Sequence, residues 1–578
     1  MKKLLLLIIL LTICIPVTLA LQEKQMPLLA ISRNEQGTNI GTIANLHVEI
    51  VPGQGRIFID TFPLAQVDTQ ISARVAKEIA CHQLDIACEH YDFIYTIKSD
   101  SLTIGGPSAG AALSALTIAA LQDLPIKRGV SVTGTIGAGG LVGSVGGLFE
   151  KVDAAKRNGI TTVLVPFGES LDAQNQSIVE YGQKKGIRVV EVYSIHQVVE
   201  ELTGVSFAQP HYDIVSPPYY KETMQALALD LCQRTDTTAQ RVDTQRAQQL
   251  LMLLNTSQEV QTIHDRAQLL RNQSKQALDN GQYYAAASFC FGAGLQYSYL
   301  ELLSIPLEDV QHLQHTLQQE LNAFEQPSIR SITDLQTSML VGERLVETQK
   351  LLDTANNQSG VDMRYTLAFA RERFESAKSW SRFFGLIQDD VRIDMNHVRQ
   401  TCMLRIQEAQ QRQQYVLLFL PQATNEDLQE AQKQQVQQNH VLCIFYASKA
   451  KAYFDLLATS LSTNQVDGHV QNVASIAHDH IQRQIQRGIF PIAAYSYIEY
   501  SDSLREDNIY SALLYAHYGI ELSDIQSYVQ QSRTNRIMSR IHIDTYAYFL
   551  AGVVVGLLTC LALVKLERYI LKKRYRKK

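Results

Sequence analysis

Two residues in this chain are of types and at a spacing that could do acyl-transfer chemistry. Ser108 stands in the turn Gly106-Pro107-Ser108-Ala109-Gly110, and Lys151 follows 43 residues later in Gly146-Gly147-Leu148-Phe149-Glu150-Lys151-Val152-Asp153-Ala154-Ala155. A serine at the mouth of a helix exposes its hydroxyl and faces unpaired backbone N–H groups, which suit a developing oxyanion. Lys151 lies three residues after Leu148 and four before Ala155, so it shares the apolar face of a helix. Lysine is rarely buried without a role. Burial disfavours the ammonium form, and a neutral amine within reach of a hydroxyl acts as a general base. Each residue alone has a plainer reading. Ser108 fits a helix cap, and the lysine stem fits an apolar surface with its head in solvent. Gly-x-Ser-x-Gly also fits a nucleophile elbow, which needs an acid and a histidine downstream; His196 and His211 are present, in no recognisable motif.

Further blocks join the two. Gly-Pro-Ser-Ala-Gly is followed by Val132-Thr133-Gly134-Thr135, by the Gly146–Lys151 segment, and by Ala154-Ala155-Lys156-Arg157-Asn158-Gly159-Ile160-Thr161-Thr162-Val163-Leu164-Val165-Pro166. In this order and spacing the chain from Gly41 to Val199 resembles the proteolytic domain of Lon-type (S16 family) serine proteases. The resemblance implies an α/β (α+β) fold and a Ser–Lys dyad. Ser108 would be the nucleophile, Lys151 the general base, and Thr133 the hydroxyl supporting the lysine. It further implies backbone N–H groups, that of Ser108 among them, as the oxyanion hole, polypeptide substrates, and a homo-oligomer, a hexamer in the family. No cofactor or metal is implied. The family's acidic residue beside the serine is replaced by Gly105-Gly106-Pro107. The dipeptide Gly-Lys never occurs, so no Walker A loop is present. These features predict an ATP-independent serine endopeptidase acting on unfolded or flexible chains. The alternative is a catalytically inactive Lon-like scaffold.

The elements that must position these residues are readable in outline. Residues 28–207 mix strands and helices. Ala44–Val51 and Arg56–Asp60 alternate as strands around Gly53-Gln54-Gly55, which reads as a hairpin. A helix starts at Thr69 with Ile71, Val75, Ile79 and Leu84 on one face. An Ala-rich helix spans Pro107–Leu121, and a helix over Leu148–Asn158 ends at Gly159. Residues 219–543 are poor in Gly and Pro and periodic in apolar residues, which predicts an all-helical domain. Ala277–Ala286 and Leu504–Leu513 are similar to tetratricopeptide-type helix pairs. Two matches make no solenoid, so an irregular bundle is expected.

The chain has 578 residues and a formal net charge of −5, with no basic aromatic patch suited to nucleic acid outside the extreme C-terminus. Residues 1–20 have the layout of a signal peptide or an uncleaved anchor. Residues 546–564 carry no charge, enough to cross a bilayer as a helix, and 565–578 are basic. The expectation is a C-terminal transmembrane helix, a cytoplasmic tail, and a cell-membrane location with the protease and helical domains outside. Of the eight cysteines six lie scattered between the two apolar ends, and among these Cys81 and Cys88 are the best pair, with buried free thiols as the alternative. Sequons stand at Asn175, Asn255, Asn272 and Asn357.

Overall fold

The computed structural model describes residues 22–33, 38–62, 64, 67–99, 107–168, 177–206, 214–253, 260–387, 393–417, 420–462, 465–523 and 565. The first unit is built on a seven-stranded sheet of order β3-β4-β2-β1-β5-β8-β9. Its strands are β1 (Gln22–Arg33), β2 (Asn39–Pro52), β3 (Ile57–Phe62), β4 (Tyr91–Ser99), β5 (Val130–Val132), β8 (Thr162–Pro166) and β9 (Arg188–Val192). A two-stranded ribbon, β6 (Thr135–Ile136) and β7 (Val142–Gly143), stands apart. β1 and β2 pair antiparallel from Gln22 with Ile50 to Arg33 with Asn39. β1, β5, β8 and β9 run parallel.

Both sheet faces are covered. One carries α1 (Val67–Leu84), α2 (Gly110–Leu121) and α5 (Ile195–Thr203) over Leu46, Val48, Phe93 and Tyr95. The other carries α3 (Leu148–Arg157) and α4 (Ile178–Lys185) over Leu29, Val163 and Val165. Gly110 through Ala120 in α2 are all buried, as its alanine-rich composition predicts.

The expected hairpin is corrected. β2 and β3 both form, but β4 lies between them, antiparallel to β2 and parallel to β3. The connection is tied to the start of β4. The Gly53 and Gly55 N–H groups donate to the His90 and Tyr91 carbonyls, and Asp92 accepts from the Gln54 and Arg56 N–H groups and the Arg56 guanidinium. Alternation tells which side of a strand is buried, not which strand lies beside it.

The second unit is helical: α6 (Pro218–Arg241), α7 (Thr244–Leu253), α8 (Val260–Asp279), α9 (Tyr283–Ser304), α10 (Leu307–Ala323), α11 (Ile332–Ala355), α12 (Gly360–Trp380), α13 (Met395–Leu417), α14 (Glu426–Val436), α15 (His440–Ser462), α16 (Val466–Gln486), α17 (Ile492–Leu504) and α18 (Ile509–Ser523). The first look-alike stretch packs on α17, the helix that leads into the second, with Tyr284 against Tyr497 and Tyr500, and Glu499 accepting from the Tyr284 and Ala285 N–H groups. Ala138, from the α/β unit, is buried in the core of the helices.

Among the described residues no helix is long and apolar enough to cross a membrane. Charges recur along the long helices: α6 alone carries Lys221, Glu222, Asp230, Arg234, Asp236 and Arg241. This corrects the expected fold class and location. An α/β unit is followed by many helices, with no membrane-crossing helix among them, and single-pass anchoring at a cell membrane is withdrawn. Residues 1–20 and 546–564, and the tail 565–578 apart from Lys565, lie outside the described residues.

Cys81 and Cys88 are bonded, as are Cys232 with Cys290 and Cys402 with Cys443, so the free-thiol alternative is overturned. Such bonds persist under oxidising conditions. The Cys402–Cys443 bond clamps α13 to α15, the helices that face the site described next. Closing a span of 41 residues is expected to contribute about 2–5 kcal/mol. A Cys402→Ala/Cys443→Ala double variant should therefore melt several degrees lower than the wild type in a non-reducing thermal scan. An unchanged melting temperature would rule out this clamp.

Candidate active site

The turn that holds Ser108 is a single 3-10 turn, Pro107–Ala109, running directly into α2. The Ser108 carbonyl accepts the Gly134 N–H at 2.9 Å, and the Gly134 carbonyl accepts the Ala111 N–H at 3.0 Å. These two bonds dock the helix mouth on the segment leaving β5. Residue 110 must be glycine for this approach, because a Cβ there would meet Ile136 Cγ2 at 2.8 Å.

Lys151 sits in the first turn of α3. Leu148, Val152, Ala154 and Ala155 bury the same helix. The chain enters it through Gly147 at φ +68°, where a Cβ would collide with Ile31. Lys151 is only 2 % exposed, so its head does not reach solvent along the core. Its Nζ donates to Thr133 Oγ1 at 2.9 Å, and Thr133 is fully buried with its N–H donated to the Leu164 carbonyl at 3.0 Å. Thr133 thus holds the lysine amine while its neighbour Gly134 holds the serine backbone. The structure brings all three residues singled out from the sequence to one place. Gly105 and Gly106, the departure beside the serine, lie outside the described residues, as does His211. His196 is on α5.

What the sequence did not disclose is the other wall. Arg412 of α13 reaches the Ser144 carbonyl at 3.4 Å and Thr135 Oγ1 at 3.5 Å, and its Nε pairs with Asp455 of α15. Lys451 pairs with Glu521 of α18. Phe167 meets His469 edge-on at 5.2 Å. Gln83 of α1 donates to the Gly139 carbonyl and accepts from Arg483 of α16. A cavity of about 70 Å³ remains between the units. The signal available was faint: Lys451 and Asp455, with Lys449, are the charges of a largely apolar helix, the first two four residues apart.

Comparison with known proteins bears on this geometry. Residues 38–204 match the family model of the Lon protease (S16) C-terminal proteolytic domain. The α/β unit is a Lon-type proteolytic domain. Lon protease 1 of Myxococcus xanthus is 32 % identical over 167 residues, 28 % of this chain and 20 % of its own length. Lon protease 2 of Bacillus subtilis is 27 % identical over 179 residues, 29 % of this chain and 31 % of its own. The archaeal Lon protease of Methanocaldococcus jannaschii is 30 % identical over 169 residues, 28 % and 25 % respectively. The chain therefore spans a fifth to a third of these relatives, and the helical unit lies outside the matched residues. The match assigns the Lon-type domain to a family of serine peptidases.

Burial affects the histidines at the domain boundary. Desolvation, the largest influence, pulls the imidazoles of His469 and His517 down to a pKa of about 4. Between about pH 4 and 6.5 the unfolded chain then binds protons that the folded chain refuses, so stability falls as pH drops through that window. For His517 the loss from pH 7 to 5 is about 2 kcal/mol, at 1.36 kcal/mol per pH unit below 6.5. A His517→Leu variant should lose less melting temperature over that interval than the wild type. Equal losses would contradict a neutral buried imidazole.

Proposed function

We propose that this chain is an ATP-independent serine endopeptidase with Ser108 as nucleophile and Lys151 as general base. The observation that carries the reading is the buried Lys151 amine, held by Thr133 Oγ1 one residue from the N–H that binds the Ser108 carbonyl. In the proposed cycle the neutral amine takes the Ser108 proton as the oxygen attacks a peptide carbonyl. The tetrahedral oxyanion is met by N–H groups at the entrance to α2, that of Ser108 among them. The resulting ammonium gives its proton to the leaving amine, and water then hydrolyses the ester with the same amine as base. Thr133 is a positioning residue that keeps the amine aimed through the cycle.

Substrates are proposed to be unfolded or flexible polypeptides. The sequence carries no Gly-Lys dipeptide and hence no Walker A loop to drive unfolding. By resemblance to its relatives the Lon-type domain is proposed to assemble as a homo-oligomer, a hexamer.

The test is hydrolysis of an unfolded protein such as casein by the purified chain, without nucleotide, together with labelling by a serine-reactive phosphonate. Ser108→Ala and Lys151→Met should each lower kcat/KM by more than about 10³-fold and abolish labelling. Thr133→Val should lower it about 10- to 100-fold, the effect of a lost hydrogen bond to a charged group. A wild type that neither cleaves nor labels would instead identify a scaffold. Cleavage only with added ATP would overturn the motor-free reading.

A further inference from the structure

The segment that joins the proposed base to the residues around the nucleophile is the two-stranded ribbon. Thr133 and Gly134 run directly into β6, and β7 runs into Ser144 and then, through Gly147, into the helix of Lys151. The ribbon stands apart from the seven-stranded sheet and has two residues in each strand. A hairpin that short has little stability of its own in water, so its shape is set by what packs against it. One strand is tied to its own unit, where the Val142 N–H donates to the Tyr193 carbonyl at 2.9 Å. The tip is held by the other unit.

Ala138, Gly139 and Gly140 form a buried 3-10 turn at that tip. Ala138 sits in the core of the helices. Gly139, at φ +65°, lies so close to α16 and α18 that a Cβ would meet Ile476 Cγ2 at 2.8 Å and Ile520 Cδ1 at 3.3 Å. Arg412 of α13 then holds both ends of the ribbon. Its Nη1 donates to Thr135 Oγ1 at 3.5 Å and to the Ser144 carbonyl at 3.4 Å. A Cβ on Gly143 would stand 3.2 Å from its Nη2. Asp455 pairs with its Nε from within the helical unit. Thr135 comes two residues after the threonine that holds the Lys151 amine, and Ser144 comes seven residues before Lys151. A buried guanidinium, with its donors in a rigid fork, thus bridges the segment that carries the base and the segment that carries its support.

We propose that Arg412 is a positioning residue: through it the helical unit holds the β6–β7 ribbon in the shape that keeps Lys151 and Thr133 in register with Ser108, so the Lon-type domain is competent only with the helices docked on it. The proposal rests on the peptidase reading of Ser108 and Lys151. A displacement of about 1 Å caused by a change remote from the chemistry can cost about 100-fold in rate.

The test uses the full chain, a fluorogenic peptide as substrate, and three variants with native circular-dichroism spectra. Arg412→Ala should lower kcat about 100-fold and leave KM within about twofold. Millimolar guanidinium ion should restore the rate of that variant roughly tenfold, as a replaced charged hydrogen-bond donor would. Gly143→Ala leaves the Arg412–Asp455 pair in place but presses on the guanidinium and on Thr135 Oγ1. It should lower kcat in the same way, and it carries the test should Arg412→Ala fail to fold. Arg487→Ala removes a different contact between the units, the pair with Asp85 at 2.6 Å, and should stay within about twofold of the wild type. Unchanged kcat in both Arg412→Ala and Gly143→Ala would overturn the proposal. So would an equal loss in Arg487→Ala, or a loss in Arg412→Ala that guanidinium does not reverse. Hydrogen exchange separates this claim from the catalytic reading, because it needs no activity. In Arg412→Ala and Gly143→Ala, fragments covering residues 133–151 should exchange faster than in the wild type, while those of β1 and β2 do not change. That result in a wild type that proves not to be a peptidase would keep the hold on the ribbon and sink the catalytic reading. A wild type that cleaves, with variants that cleave as fast and exchange alike, would do the reverse.

Discussion

A primary amine enclosed in protein must be held by some polar group, and in this chain the hydroxyl of Thr133 does so. Much of the Lon-type domain is arranged around that contact. Thr133 is placed by β5, which lies between β1 and β8 in the parallel part of the sheet. Lys151 is placed by α3, whose entry requires a left-handed residue at Gly147 and whose apolar face seals the amine from water. The serine turn is docked on the same strand extension through Gly134. Three elements separated in sequence therefore meet at two consecutive residues. Small displacements between the proposed base and nucleophile would be expensive, and attaching both to one short segment limits them.

The helical unit is joined to this assembly by charged groups. Arg405, Glu408, Arg412, Lys451, Asp455 and Glu521 are all buried. Buried ion pairs are weak evidence of stability, because desolvation offsets most of their attraction. Their effect is on orientation. Arg412 contacts Asp455 within its own unit and the Ser144 carbonyl across the boundary. An arginine committed on both sides fixes α13 against the β6–β7 ribbon, and the disulfide from Cys402 to Cys443 carries that constraint into α15. The wall of the cavity is thus part of the fold.

The residues of the candidate site could be singled out because their signals are local. A serine in a glycine-bounded turn and a lysine on an apolar helical face can each be recognised within a dozen residues, and Thr133 comes with the block that joins them. The Cys81–Cys88 bond was legible for the same reason, being only seven residues apart. Non-local pairing was not. The hairpin expected between β2 and β3 failed because β4, distant in sequence, enters between them. The bonds Cys232–Cys290 and Cys402–Cys443 depend on helix packing that no window of sequence contains. His469 and His517 had no pattern at all, since their meaning comes only from what surrounds them after two units have packed together.

Enclosure also bears on the kind of substrate. The cavity beside Pro107 is small, about 70 Å³, and lies between the two units. On the peptidase reading, a substrate backbone passing Ser108 would run along its rim, and an extended chain does so at about 3.3 Å per residue with alternate side chains turned the same way. On the same reading, the boundary between the units would favour unfolded segments by its shape. The helices that roof the cavity would then act as a steric filter, the part that a nucleotide-driven motor would otherwise play.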